Sequence, residues 1–150
     1  MSATYRAVQW NPYKRRYDLV LAAGVLGYLV VFIATGKLVH RGEHSVSDPI
    51  LLLRALGTCA YLMLTAILCI GPLSRIDRRF LPLLYNRPHL GLTTFLVALV
   101  HGAFSVIQLH ALGDLNPLVS VLVTSSDYTS LTSFPFQQLG LAALVILFVM

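Results

Sequence analysis

The chain has 150 residues, of which 57% are hydrophobic and 11% charged, and its net charge is +5. A soluble domain carries about 25% charge and about 45–50% apolar residues, so the composition excludes an ordinary water-soluble globule. The positive charge does not point to nucleic acid, because it lies in short blocks between apolar runs.

Residues 1–17 are polar, basic and aromatic. Tyr5, Trp10, Tyr13 and Tyr17 are types that settle at headgroup level, and Asn11-Pro12 breaks any helix there. This stretch reads as a cytoplasmic N-terminal segment, with a membrane domain over residues 18–150. Roughly 20 mostly apolar residues cross a bilayer as a helix. Residues 19–35 form the first such run, with Asp18 as its N-cap, Gly24 and Gly27 allowing close approach of a neighbour, and Gly36 as its end. A signal peptide is the alternative for this run, but its leader and apolar core are too long and no A-x-A site follows.

His40-Arg41-Gly42-Glu43-His44 is a short external turn. Asp48 then caps the second span, residues 50–73, with Pro49 at the first helical position and Gly71-Pro72 as the stop. Its Cys59 and Cys69 are about 15 Å apart along a helix, too far to bridge, and read as small packing residues. Residues 74–88 form a basic loop, and His89 or Leu90 opens the third span, which runs to Leu112 and is closed by Gly113-Asp114 and Asn116-Pro117. Residues 115–134 hold no span: the first nine are apolar and suit the membrane surface, and 124–133 are rich in Ser and Thr around Asp127. Phe134-Pro135-Phe136 leads into a fourth apolar run that reaches Met150 after about 24 Å of helix, short of the ~30 Å hydrocarbon core. The expectation is an all-α polytopic transmembrane helix bundle of four spans, the fourth incomplete.

Lys and Arg number 4, 2, 4 and 0 in the successive segments outside the spans. Short cytoplasmic loops carry the excess, so the N-terminus is expected in the cytoplasm of a bacterial inner membrane. The same residues also suit lipid headgroups.

Ionisable residues inside a span are the candidates for function. His101 lies mid-way along the third span, about 16 Å below its outer end. Helical spacing groups it with Thr94, Ala98, Ser105 and Gln108 in a small polar stripe, while Leu96, Leu99, Val100, Phe104, Val106 and Ile107 cover the other faces. A neutral imidazole is a good iron ligand, and its second nitrogen can donate to a hydroxyl such as that of Ser105. The plainer alternative is a hydrogen bond to another helix. His89 and His110 lie near opposite membrane surfaces, and neither shares a face with His101 suited to a second haem. Arg54 lies about 6 Å below the outer end of the second span, roughly 10 Å shallower than His101 by the same arithmetic. It either snorkels outward or meets an anion such as a haem propionate. Gly-rich nucleotide loops, CxxCH, CxxC and acidic ligand clusters are absent from the sequence.

The segments Leu53-Arg54-Ala55-Leu56-Gly57, Gly71-Pro72-Leu73-Ser74-Arg75, Asn86-Arg87-Pro88-His89-Leu90-Gly91-Leu92 and Ala98-Leu99-Val100-His101 resemble, in order and spacing, the ferric reductase-like transmembrane domain. Phe134-Pro135-Phe136 with Leu139-Gly140-Leu141 is similar to the start of that family's next helix. The resemblance covers about residues 50–150. It implies a six-helix bundle in which paired histidines hold b-type haem and carry electrons across the membrane, often from a flavin or quinol on another segment or a partner redox subunit. His101 matches the family's first haem histidine; the partner histidines belong to a later helix. Arg87-Pro88 departs from the family's double Arg, and His89 within that motif is unusual. The resemblance therefore implies the membrane part of an oxidoreductase, with His101 as axial ligand of haem b, while Arg54 stays open between snorkelling and a propionate. A cofactor-free membrane scaffold and a transporter fragment are the rival readings, the latter weakened because the prolines fall at span ends rather than at the midplane.

Overall fold

The computed structural model describes residues 12–40, 46–111, 113, 115–123 and 136–149. The N-terminal aromatics Tyr5 and Trp10, the turn residues 41–45, Leu112, Asp114, the Ser/Thr-rich stretch around Asp127, Phe134-Pro135 and Met150 lie outside them. The molecule is an all-α bundle. Its elements are α1 (Pro12–Val39), α2 (Asp48–Ile76), a 3-10 turn (Arg78–Phe80), α3 (Leu81–Tyr85), α4 (Arg87–His110), α5 (Pro117–Val123) and α6 (Phe136–Val149). Three helices, α1, α2 and α4, are long and apolar enough to cross a membrane, and α6 is a shorter apolar helix.

Several helix ends fall outside the apolar runs. α1 is described from Pro12, six residues before Asp18. Asp18 is therefore an interior residue and not a cap. Gly36 does not stop α1, which continues to Val39. Its missing side chain is used by Leu51 of α2: a Cβ there would stand 2.7 Å from Leu51 Cδ2.

The N-cap of α2 is Ser47, with Asp48 inside the first turn. Asp48 instead accepts an ion pair from Lys37 at 2.9 Å, closing the turn between the two helices. At the other end α2 runs through Pro72 to Ile76, where the Ser74 hydroxyl donates to the Gly71 carbonyl at 2.8 Å. Pro72 removes one backbone bond, to the Leu68 carbonyl, in the last turns of the helix. The helix stops at Asp77, whose backbone N–H donates to the Leu73 carbonyl and whose carboxylate accepts from Arg79 N–H. The expected basic loop is thus mostly helical, and α4 opens at Arg87 with Pro88 in its first turn.

α4 ends at His110, and Pro117 begins α5 rather than extending a loop. α1 packs on α2, α2 on α4, and α4 on both α5 and α6. The buried core is small: Leu56 and Cys59 of α2 meet Val97 of α4, and Ile67 and Ile70 of α2 meet Leu90 of α4, with Leu21, Val25, Tyr28 and Leu29 of α1 packed half-buried against them. Large apolar side chains such as Leu26, Val30, Leu62, Leu68, Leu96 and Ile107 are exposed, the arrangement expected where lipid takes the place of water.

Candidate functional site

The polar stripe of α4 is turned from the position that spacing alone suggests. Its buried line is Leu90, Thr94 and Val97, and Thr94 is fully enclosed at 0% exposure. Thr94 satisfies its hydroxyl by donating to the Leu90 carbonyl at 2.8 Å. Ala98, His101 and Ser105 are half-buried along the edge of this line, and Gln108 is exposed. The small residues are used to bring α2 and α4 together: Ala55 is fully buried and Cys59 nearly so.

His101 lies against α2. Its ring crosses Gly57 so closely that a Cβ at that position would stand 2.8 Å from Cε1. The Nδ1–H donates to the Leu53 carbonyl at 3.1 Å. A carbonyl oxygen can only accept, so Nδ1 carries the proton and Nε2 of the neutral ring keeps its lone pair. This replaces Ser105 with a backbone oxygen as the group that orients the imidazole. Metal-binding histidines are held in this way, one nitrogen donating to an oxygen and the other free to ligate. One imidazole nitrogen of His101 is thus oriented and the other could serve as a single ligand to a haem iron.

Arg54 is exposed and lines a groove of about 360 Å³ between α1 and α2, together with Tyr28, Val31, Phe32, Thr35 and Leu51. The hydrogen bond from His101 to the residue before Arg54 puts the two side chains within a turn of each other in height, not roughly 10 Å apart as helix arithmetic suggests. They are separated around α2 instead: Arg54 on the α1 side, His101 on the α4 side. Cys59 is buried and Cys69 exposed, and both are free thiols.

The other two α4 histidines prove to be tertiary links. His110 is buried, at 5% exposure. Gln137 Oε1 lies 3.0 Å from its Nε2 and can only accept, so Nε2 carries the proton. Nδ1 then accepts from the Ser120 hydroxyl at 2.8 Å. One ring thus ties α4 to α5 and α6. At the opposite end of α4, His89 Nδ1–H donates to Asp18 at 3.1 Å and fastens α4 to α1. Spacing within one helix carries no signal for either link, because the partners are 10, 27 and 71 residues away in sequence.

No family model, curated protein or solved structure matches the chain.

Proposed function

We propose that the chain is the haem b-bearing part of a membrane electron carrier, with His101 as one axial ligand. The observation that carries this reading is the mid-helix imidazole whose Nδ1 is fixed on the Leu53 carbonyl and whose Nε2 keeps its lone pair. The resemblance of residues 50–150 to ferric reductase-like domains adds to it. When bound, haem supplies a one-electron couple whose potential depends on its ligands and burial. The chain's own residues contribute orientation and exclusion of water. Leu53 holds the tautomer, Gly57 leaves room for the ring, and the apolar α2–α4 shell keeps the surroundings dry. A neutral imidazole binds iron without a buried charge. A second ligand would come from a later segment or another chain, and a flavin or quinol there would supply the electrons.

The test is a reduced-minus-oxidised spectrum of membranes carrying the protein. His101→Ala abolishes the b-type bands while the protein still inserts, and His40→Ala, an exposed histidine, leaves them in place. Bands that survive His101→Ala would sink the assignment. The Leu53 bond also suits a histidine that only joins two helices, since interhelical hydrogen bonds are worth about 0.6–2 kcal/mol in membranes. A haem-free wild-type protein that loses stability on His101→Ala assigns that role and makes the chain a scaffold.

The alternation of basic residues supports an N-terminus in the cytoplasm of a bacterial inner membrane. Cysteines introduced at Ser45 and Ser125 then react with an impermeant maleimide from outside, and one at Ser74 reacts only after the membrane is opened. The reverse pattern overturns the orientation.

A further inference from the structure

The groove between α1 and α2 has apolar walls and one cation. Tyr28, Val31, Phe32 and Thr35 of α1 face Leu51 and Arg54 of α2 across it. Arg54 is six residues into α2, about 9 Å along the helix, where an ionised side chain is costly without an anion. Among the described residues the ion pairs are Lys37 with Asp48, Arg79 with Asp77 and His89 with Asp18, so Asp48, at the same end of α2, is already engaged. The guanidinium has no hydrogen-bond or ionic partner among the described residues.

An occupant of this groove must offer carbon to the walls and an anion to Arg54. We propose that it is an anionic glycerophospholipid of the surrounding leaflet, one acyl chain lying along Tyr28, Val31, Phe32 and Thr35 and its phosphate on Arg54. Arg presents a planar fork of donors that matches phosphate oxygens in pairs, which a Lys point charge does not. A net-negative headgroup is preferred over a zwitterionic one because a choline cation beside the phosphate would oppose Arg54. Closure of the groove at the membrane surface comes from His40, whose Nδ1–H is tied to the Gly36 carbonyl at 3.1 Å. This site needs no haem on His101, which lies across α2, although the propionate of a haem there would compete for Arg54.

The experiment uses the full chain purified in nonionic detergent and titrated with palmitoyl-oleoyl phosphatidylglycerol or the matching phosphatidylcholine, with retention read by native mass spectrometry. The wild type retains one phosphatidylglycerol about tenfold more strongly than phosphatidylcholine, the ratio of one charge-assisted contact. Arg54→Ala removes this preference, and Arg54→Lys keeps part of it. Thr35→Trp fills the groove and removes both lipids. Equal retention of the two lipids by the wild type overturns the proposal, as does a preference that survives Arg54→Ala. Loss of haem on Arg54→Ala with lipid preference unchanged assigns the guanidinium to a propionate and also overturns it. Absence of haem from the wild type, with the lipid preference as expected, leaves this site standing while the haem reading falls.

Discussion

The α2–α4 seam and the flank of α1 are both contacts between long apolar helices, yet they are built differently. Along the seam, Ala55 and Thr94 are fully buried, Cys59 and Val97 nearly so, and Gly57 lies under the His101 ring. α1 buries none of its residues. Its Gly24 and Gly27 have nothing within 4 Å of a Cβ position, and grooves remain between it and α2. Lipid tails are as apolar as Leu, so apolarity alone does not draw two membrane helices together. Close approach over small residues and hydrogen bonds across the contact do. The seam has the first along its length, with a hydrogen bond across it, from His101 to the Leu53 carbonyl. α1 lays Leu21, Val25, Tyr28 and Leu29 half-buried against that core and adds side-chain links: Tyr28 to Thr58 at 3.0 Å, Asp18 to His89, and Lys37 to Asp48.

Reversible unfolding in mixed micelles is the measurement that breaks or sharpens this contrast. The largest effect is expected at Gly57→Leu, because the ring of His101 already occupies that space. Overpacking there costs about 3 kcal/mol, and a cost below about 0.5 kcal/mol would show that the seam is not close-packed.

His110→Ala comes next. It takes away the partner of Gln137 Oε1 and a side chain joining three helices, for a loss of about 2 kcal/mol. His110→Gln, able to keep one of the two bonds, recovers part of it.

Asp18→Ala is expected to cost at most about 1 kcal/mol, since both partners remain partly exposed, with side-chain values of 18% for His89 and 32% for Asp18. The diagnostic result is a shared effect: Asp18→Ala combined with His89→Ala costs no more than either alone, whereas additive losses would mean the pair is not coupled.

The smallest effect belongs to Gly24→Ala, which leaves stability unchanged or raises it by up to about 1 kcal/mol through helix propensity, with nothing nearby to clash. A large loss there would place a packed partner against α1 and erase the contrast between the two regions.

The number and apolar character of the membrane helices were legible in the sequence because length and hydropathy are set by the bilayer, not by neighbouring helices. His101 was legible as a mid-span imidazole for the same reason, since any ionisable group at that depth stands out. Helix ends were less so. Gly36 and Pro72 look like breaks, but α1 runs past the first under Leu51 of α2, and α2 runs past the second for its last turn.

Only the tertiary structure decided the partners. Ser105 lies one turn from His101 on the same helix and was the expected hydrogen-bond acceptor, but the side chain turns across the seam to the Leu53 carbonyl. A backbone oxygen on another helix is no more marked in the sequence than any other backbone oxygen. His110 and His89 drew their roles from Ser120, Gln137 and Asp18 in the same way. The sequence by itself determined which segments enter the membrane, because that is a balance between each segment and lipid. Which small residue receives which ring, and which side of α2 Arg54 faces, depends on the rotation of helices against one another, and that is settled by packing over long sequence separations.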